Sequence, residues 1–169
     1  MDVRALLEDF QSRVHEHVHD VAADLTAEQL ALAPEPGANP IGWQLWHLTR
    51  VADAHLSELL ESDQVWATSD WAGKFGLPPD PKNSGYGHSA EQVGRVRPES
   101  AGVVTGYFDQ VEGRVLDLLA TVDDAALDQV VDERWEPPVT LGVRLVSILD
   151  DAIQHAGQAA YVKGLIDRR

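Results

Sequence analysis

The sequence predicts an all-α fold, a four-helix bundle, formed as a single domain over residues 1–169. Four long segments repeat apolar residues at a helical period, and no segment shows a convincing alternation of apolar and polar residues typical of a strand. Together these two observations favour a bundle. Apolar residues make up 44% of the chain, which is enough for a domain of this size to bury a continuous core.

The first two helices are predicted from apolar spacing and from residues that begin helices. Helix one is expected from Val3 to about Leu25, with a core stripe of Leu6, Phe10, Val14, Val18, Val21 and Leu25. Thr26 to Gln29 has the form of a capping box and predicts a short helical turn. Asn39 then Pro40 has the form of an N-cap followed by a first-turn proline, so helix two is expected from Ile41 to about Leu60.

A long connection, residues 62–97, follows helix two and is rich in Gly, Pro, Ser and Asp. Connections of this length are rare in compact domains unless they carry function or a short helix of their own. Ser89 to Gln92 has a second capping-box pattern and predicts such a helix. Aromatic and polar side chains of this connection are candidates for the mouth of a site or for pinning the loop to the bundle: Trp66, Trp71, Lys74, Tyr86 and His88.

The last two helices complete the predicted bundle. Helix three is expected from Pro98 to about Thr121, and a short amphipathic turn is expected around Leu127 and Val130. A loop from Trp135 to Thr140 leads to helix four, which is expected from Leu141 to about Ile166.

Charge and composition exclude several classes of partner and chemistry. The formal charge of −15 repels phosphate backbones and anionic lipid surfaces, so neither nucleic acid nor a membrane is an expected partner. The N-terminus lacks the features of a signal peptide and no apolar run is long enough to span a membrane, so a cytoplasmic protein is expected. Cysteine is absent, which excludes disulfides and thiolate ligands; thiol chemistry would need a thiol substrate.

One face of helix four combines an acid and an imidazole with apolar residues. With successive residues 100° apart around the helix axis, Asp151, His155 and Arg144 lie within about 40° of a line along the helix that also contains apolar residues. Asp150 points some 140° away from His155. On helix two, His47 is at the centre of a face shared with Trp43. A buried carboxylate is costly unless it is paired or bound to a metal. The three side chains therefore predict either one divalent metal ion or an ordinary buried Asp–His pair beside a core histidine.

At these motifs the chain resembles the DinB/YfiT-like superfamily of metalloenzymes. The resemblance rests on Trp46-His47-Leu48-x-Arg50 and on Asp151-x-x-x-His155-x-Gly157-Gln158, and it covers nearly the whole chain. It implies a DinB-like bundle with a long connection between helices two and three, and zinc or nickel held by His47, Asp151 and His155. Many members have a histidine at the position of Asp151. The mycothiol-dependent maleylpyruvate isomerase branch has a glutamate there, and this chain is closest to that branch in using a carboxylate.

The leading functional hypothesis is a metal-dependent thiol S-transferase. Three protein ligands leave a coordination position open, and a low-molecular-weight thiol bound there would lose its proton and attack an electrophile. The resemblance implies mycothiol, or bacillithiol in other bacteria. The alternatives are a metal-dependent hydrolase, a non-enzymatic stress-associated metal-binding protein and, last, a non-haem iron oxygenase. A homodimer is compatible with each of them.

Other polar residues have weaker predicted roles. Arg144 is a candidate for binding an anionic substrate or for neutralising an acid, and Trp43 and Gln158 are candidates for the pocket or for supporting a ligand. Packing is the competing explanation for Trp43 and Gln158. On helix one, His17 is placed on the core stripe, and His15 and His19 are expected to face solvent. His55 is expected to be structural.

Overall fold

The computed structural model describes residues 1–168 and confirms the all-α prediction. In chain order the helices are α1 (Val3–Ala22), α2 (Ala27–Leu30), α3 (Ile41–Leu59), α4 (Val65–Thr68), α5 (Trp71–Lys74), α6 (Ala90–Val93), α7 (Ala101–Leu119) and α8 (Leu141–Ile166). The four long helices, α1, α3, α7 and α8, form the bundle. The four short helices lie in the connections between them.

Side-chain caps set most of the helix starts. Thr26 and Ser89 both form the predicted capping boxes, with Gln29 and Gln92 respectively. Ser100 accepts a hydrogen bond from the amide of Val103, so α7 begins at Ala101 and not at Pro98. The predicted Asn39 cap is wrong, because Pro40 occupies the N-cap position of α3 and makes no side-chain cap.

Two other boundaries differ from the sequence predictions. Helix α1 ends at Ala22 and not near Leu25, although Leu25 is still buried. The turn predicted around Leu127 and Val130 contains a 3-10 helix, Ala126–Asp128, followed by a two-stranded antiparallel sheet of β1 (Val130–Asp132) and β2 (Val139–Thr140). Strands this short contain too few residues to produce an alternating pattern, so the sequence could not reveal them.

The core lies between the long helices. Helix α3 packs against α8 and α7, and α1 packs against the same two helices. The largest fully buried apolar side chains come from α3, α4, α7 and their neighbours: Trp46, Trp66, Tyr107, Phe75, Leu30 and Ile41. The residues of α3 from Ile41 to Arg50 are all buried, which brings this stretch into the centre of the molecule.

The buried face of α1 is rotated relative to the prediction. His17 is exposed rather than part of the core, and Leu6 is 56% exposed. His15 and His19 are half-buried against α7 and do not face open solvent as expected. The buried face of α1 is centred near Val18 and includes the polar Gln11, so Leu6 and His17 fall outside it.

Among the helices of residues 1–168, none combines the length and the apolar character needed to cross a lipid bilayer.

Candidate metal centre

His47 lies in the middle of α3 and is 6% exposed. Its Nδ1 lies 2.5 Å from the backbone carbonyl oxygen of Ser84, in the long connection, and its ring stacks on Trp43 at a centroid distance of 4.7 Å. Because a carbonyl only accepts, Nδ1 must donate in this hydrogen bond. That tautomer leaves a free lone pair on Nε2, which is the atom that faces the other candidate ligands.

His155 of α8 is held in the same manner by a different partner. Its Nδ1 donates to the Oε1 atom of Gln44 at 2.5 Å, and Gln44 is 4% exposed. The ring meets that of His47 nearly at a right angle, 84°, with the centroids 4.6 Å apart. The second imidazole therefore also has its Nε2 free, as is usual for metal-binding histidines.

Asp151 lies one turn before His155 and faces both imidazoles. Its Oδ1 is 3.9 Å from Nε2 of His47 and 3.6 Å from Nε2 of His155. Its Oδ2 is buried and has no hydrogen-bond partner among residues 1–168. A buried carboxylate oxygen without a partner is costly, and a cation bound between the three side chains would satisfy it.

Burial and nearby charges shift the protonation of all three side chains. Burial raises the pKa of Asp151 to about 6, and the Asp150 carboxylate adds to this. Burial lowers the pKa of His155 to about 4, with a further contribution from His47. Burial also lowers the pKa of His47, although its bond to the Ser84 carbonyl acts in the opposite direction. At neutral pH the site therefore contains two neutral imidazoles and one carboxylate, which is the protonation state that metal binding requires.

The three side chains fit a divalent metal ion. One ligand atom from each lies within 4.8 Å of the others. Ligands about 2.0–2.1 Å from a tetrahedral zinc ion are separated by about 3.3 Å. The separations of 3.6 and 3.9 Å need only small side-chain rotations to reach that value. Two imidazoles and a carboxylate suit zinc, nickel and related ions.

The long connection is fixed to α3 by Arg50, which is completely buried. Its guanidinium donates to the carbonyl oxygens of Asn83 and Pro81 at 3.1 and 3.2 Å. It is paired with Asp53, also completely buried, at 3.3 Å. Arg50 therefore positions the chain immediately before Ser84, and so helps to place the carbonyl that orients His47.

Gly85 follows Ser84 at a point where the backbone approaches the site closely. Its φ is +94°, and a Cβ atom there would lie 2.8 Å from Nδ1 of His47 and 2.8 Å from the ring of Trp46. Only glycine fits this position without moving its neighbours.

The three residues predicted to support substrate or ligands lie in different places. Trp43 is at the centre, stacked on His47 and edge-on to His155, and its Nε1 donates to His88. Gln158 is exposed and lines a cleft beside His155. Arg144 lies apart from the three candidate ligands, donating to Asp132 at 2.9 Å and 2.7 Å from Nδ1 of His55, so it neutralises an acid.

Several residues of the site were missed by sequence reasoning. Gln44 lies one helical turn before His47, but its partner is His155 on α8, so no spacing within α3 predicts its role. The Ser84 carbonyl has no sequence signal, because it is a backbone group placed by tertiary structure. His55, which was expected to be structural, is not among the candidate ligands and contacts Arg144.

A cleft of about 810 Å³ lies beside the centre. Gln44 contributes both to its wall and to the hydrogen bond with His155. Amides and apolar side chains dominate the wall: Asn39, Gln44, Gln154, Gln158, Ile153, Val162 and Leu165. None of the described residues that line it is cationic, so the cleft does not suit a strongly anionic ligand.

The fold and the site together define a class: a helical bundle with a candidate mononuclear metal centre between two of its long helices. The sequence profile of the DinB superfamily matches residues 5–159. The chain belongs to the DinB superfamily, as its motifs implied. It is also similar to a conserved protein from Enterococcus faecalis whose crystal structure is known, with 30% identity and a TM-score of 0.90 over 100% of this chain and 99% of the other. No curated protein matches the chain.

Proposed function

We propose that this protein is a metal-dependent enzyme that activates a low-molecular-weight thiol for attack on an electrophile, with His47, Asp151 and His155 as the metal ligands. One observation carries the proposal. The free Nε2 atoms of two buried histidines converge on one carboxylate oxygen, while the other oxygen of that carboxylate is buried without a partner among residues 1–168. Such an arrangement is unfavourable without a cation.

The charge of the ligand set favours an anion at the remaining position. Two neutral imidazoles and one carboxylate leave a divalent ion with a net charge of +1. A divalent ion held by these residues would lower the pKa of a thiol or a water molecule that coordinates to it. Because the chain contains no cysteine, a thiol at that position must come from a second molecule.

The surroundings favour a thiol without strong negative charge. The side chains of Asp151 and His155 are 27% and 17% exposed, so a small molecule can reach them. The cleft beside them offers amide groups and apolar surface without cationic side chains among its described residues. The family resemblance implies mycothiol as the thiol. Within this proposal the protein acts in the cytoplasm, where low-molecular-weight thiols are kept reduced.

A cobalt-substituted protein tests the proposal. Adding a small neutral thiol to it should produce a sulfur-to-metal charge-transfer band between about pH 6 and 9, and the protein should consume thiol in the presence of a chlorodinitrobenzene. The His155→Ala variant should show neither effect, and His55→Ala, which leaves the three ligands in place, should show both. If thiol leaves the cobalt spectrum unchanged while the same sample cleaves an ester, the activated group is water and the protein is a hydrolase. A metal-loaded protein with neither activity would refute catalysis and favour a metal-binding role.

A further inference from the structure

A second group of imidazoles and carboxylates lies between α1 and α7, away from the candidate centre. His15 and His19 are four residues apart on α1, and their rings stack with a centroid distance of 4.2 Å. Opposite them on α7 are Asp109, whose Oδ1 is 2.7 Å from Nε2 of His19, and Glu112, whose Oε2 is 2.6 Å from Nδ1 of His15. None of these four residues belongs to the candidate centre.

The donor atoms are close enough for one ion. One nitrogen from each imidazole and one oxygen of Asp109 lie within 4.8 Å of one another. The side chains of His19 and Asp109 are 36% and 47% exposed, so a metal ion can reach them from solvent. Residues 15–19 also have the His-Glu-x-x-His spacing, which places two imidazoles on one face of a helix in zinc proteins.

Glu112 supports this group as an outer partner. It is 7% exposed, and its second oxygen accepts a hydrogen bond from Gln11 at 3.0 Å. Its carboxylate accepts from Nδ1 of His15, which leaves Nε2 of that imidazole with a free lone pair. A buried carboxylate that orients an imidazole in this way is the usual neighbour of a metal-binding histidine.

We propose that His15, His19 and Asp109 bind a second divalent transition-metal ion, such as zinc, cobalt or nickel, that clamps α1 to α7, with Glu112 as the positioning residue for His15. This inference does not rest on the proposed function, since the two sites share no residue. Glu16 is exposed, so we assign metal binding and no hydrolytic role to this cluster.

Zinc titration in a variant that lacks the first site tests the proposal. The His47→Ala/His155→Ala variant, freed of metal with a chelator, should bind one zinc ion per chain by calorimetry, and zinc should raise its unfolding midpoint. Adding His19→Gln should abolish both effects, although glutamine still hydrogen-bonds to Asp109. Adding Glu112→Gln should weaken zinc binding about ten- to a hundredfold. Adding His17→Gln, an exposed histidine of the same helix, should change neither.

Absence of zinc binding in the double variant would overturn the proposal, as would zinc binding that His19→Gln leaves unchanged or that His17→Gln removes equally. If the double variant fails to fold, the stoichiometry of the unmodified protein decides the question. Two zinc ions per chain, reduced to one by His19→Gln, support the second site. One zinc ion in both proteins refutes it.

Discussion

Replacing Gly85 by alanine should weaken the metal centre without touching any ligand. A methyl carbon at this position would lie 2.8 Å from Nδ1 of His47, whereas non-bonded carbon contacts are comfortable at about 3.5–4.0 Å. The backbone or the imidazole must therefore shift by about 0.5 Å or more. That shift stretches or breaks the bond between His47 and the Ser84 carbonyl. Loss of such an outer partner typically weakens metal binding about ten- to a hundredfold, or about 1.4–2.7 kcal/mol.

The same loop provides a matched control in Gly87. Its φ is +71°, close to the +94° of Gly85, but a Cβ there would meet nothing within 4 Å. Both alanine variants therefore incur a left-handed backbone cost of about 1–2 kcal/mol, and only Gly85→Ala adds the collision with His47. The difference between the two variants isolates the effect on the site.

Competition between the protein and a chromophoric zinc chelator measures this difference. We expect Gly87→Ala to keep the affinity of the unmodified protein and Gly85→Ala to lose about one to two powers of ten. Thermal unfolding of the metal-free proteins gives the accompanying cost in stability. Equal zinc affinity in the two variants would show that the Ser84 carbonyl does not orient a metal ligand.

Three further predictions concern the ligands themselves. Elemental analysis should show that three variants each lose the bound metal while circular dichroism shows a helical protein: His47→Ala, Asp151→Ala and His155→Ala. The control Asp150→Ala should retain the metal. Stoichiometric metal in both Asp151→Ala and His155→Ala would contradict the assignment. Asp151→Asn should make the metal-free protein more stable at pH 7.5, by about 1–2 kcal/mol after allowance for partial exposure. Because the pKa of Asp151 is raised, the folded state retains a proton between about pH 4 and 6 that the unfolded state has lost. The destabilisation caused by the Asp151 carboxylate therefore grows as pH rises through that window and is complete above it, and the stability gained by Asp151→Asn grows with it. Urea unfolding at several pH values measures it, and a gain already complete at pH 4 would be inconsistent with this cause. Zinc affinity should fall about tenfold per pH unit below about pH 6, because one proton competes with zinc at Asp151 while His155, with a pKa of about 4, remains neutral. A loss of affinity of about a hundredfold per pH unit above about pH 5 would mean that two protons compete and would contradict this account.

Much of what the sequence predicted correctly about the helices followed from helical periodicity. The period of 3.6 residues is set by the backbone, so the convergence of α3 and α8 residues such as His47 and Asp151 follows once both helices face a common core. The same arithmetic failed for His17, because the buried arc of α1 is centred near Val18 and extends towards the polar positions on the side of α7, which leaves His17 outside it. His15 and His19 lie on that extended arc, where hydrogen bonds to carboxylates take the place of apolar contact.

The groups that orient the ligands were out of reach of sequence patterns. Gln44 is unremarkable on a helix until α8 brings His155 to it. The Ser84 carbonyl is a main-chain group of a connection with little regular structure, and its position depends on the buried guanidinium of Arg50. Long-range contacts of this kind are specified by the whole fold and not by local residue spacing.

Residues 81–84 of the long connection contact Arg50 and His47 through main-chain carbonyl groups, and this has an evolutionary consequence. Arg50 and His47 contact carbonyl oxygens of Pro81, Asn83 and Ser84, so the atoms they need are present whatever side chain occupies a position with the same backbone path. Selection can therefore vary the side chains of Pro81, which is exposed, and of Ser84, which is half-buried, while the imidazole stays oriented. Related proteins can in this way differ in the side chains at the entrance to the site and in what they recognise there, while the orientation of His47 stays the same.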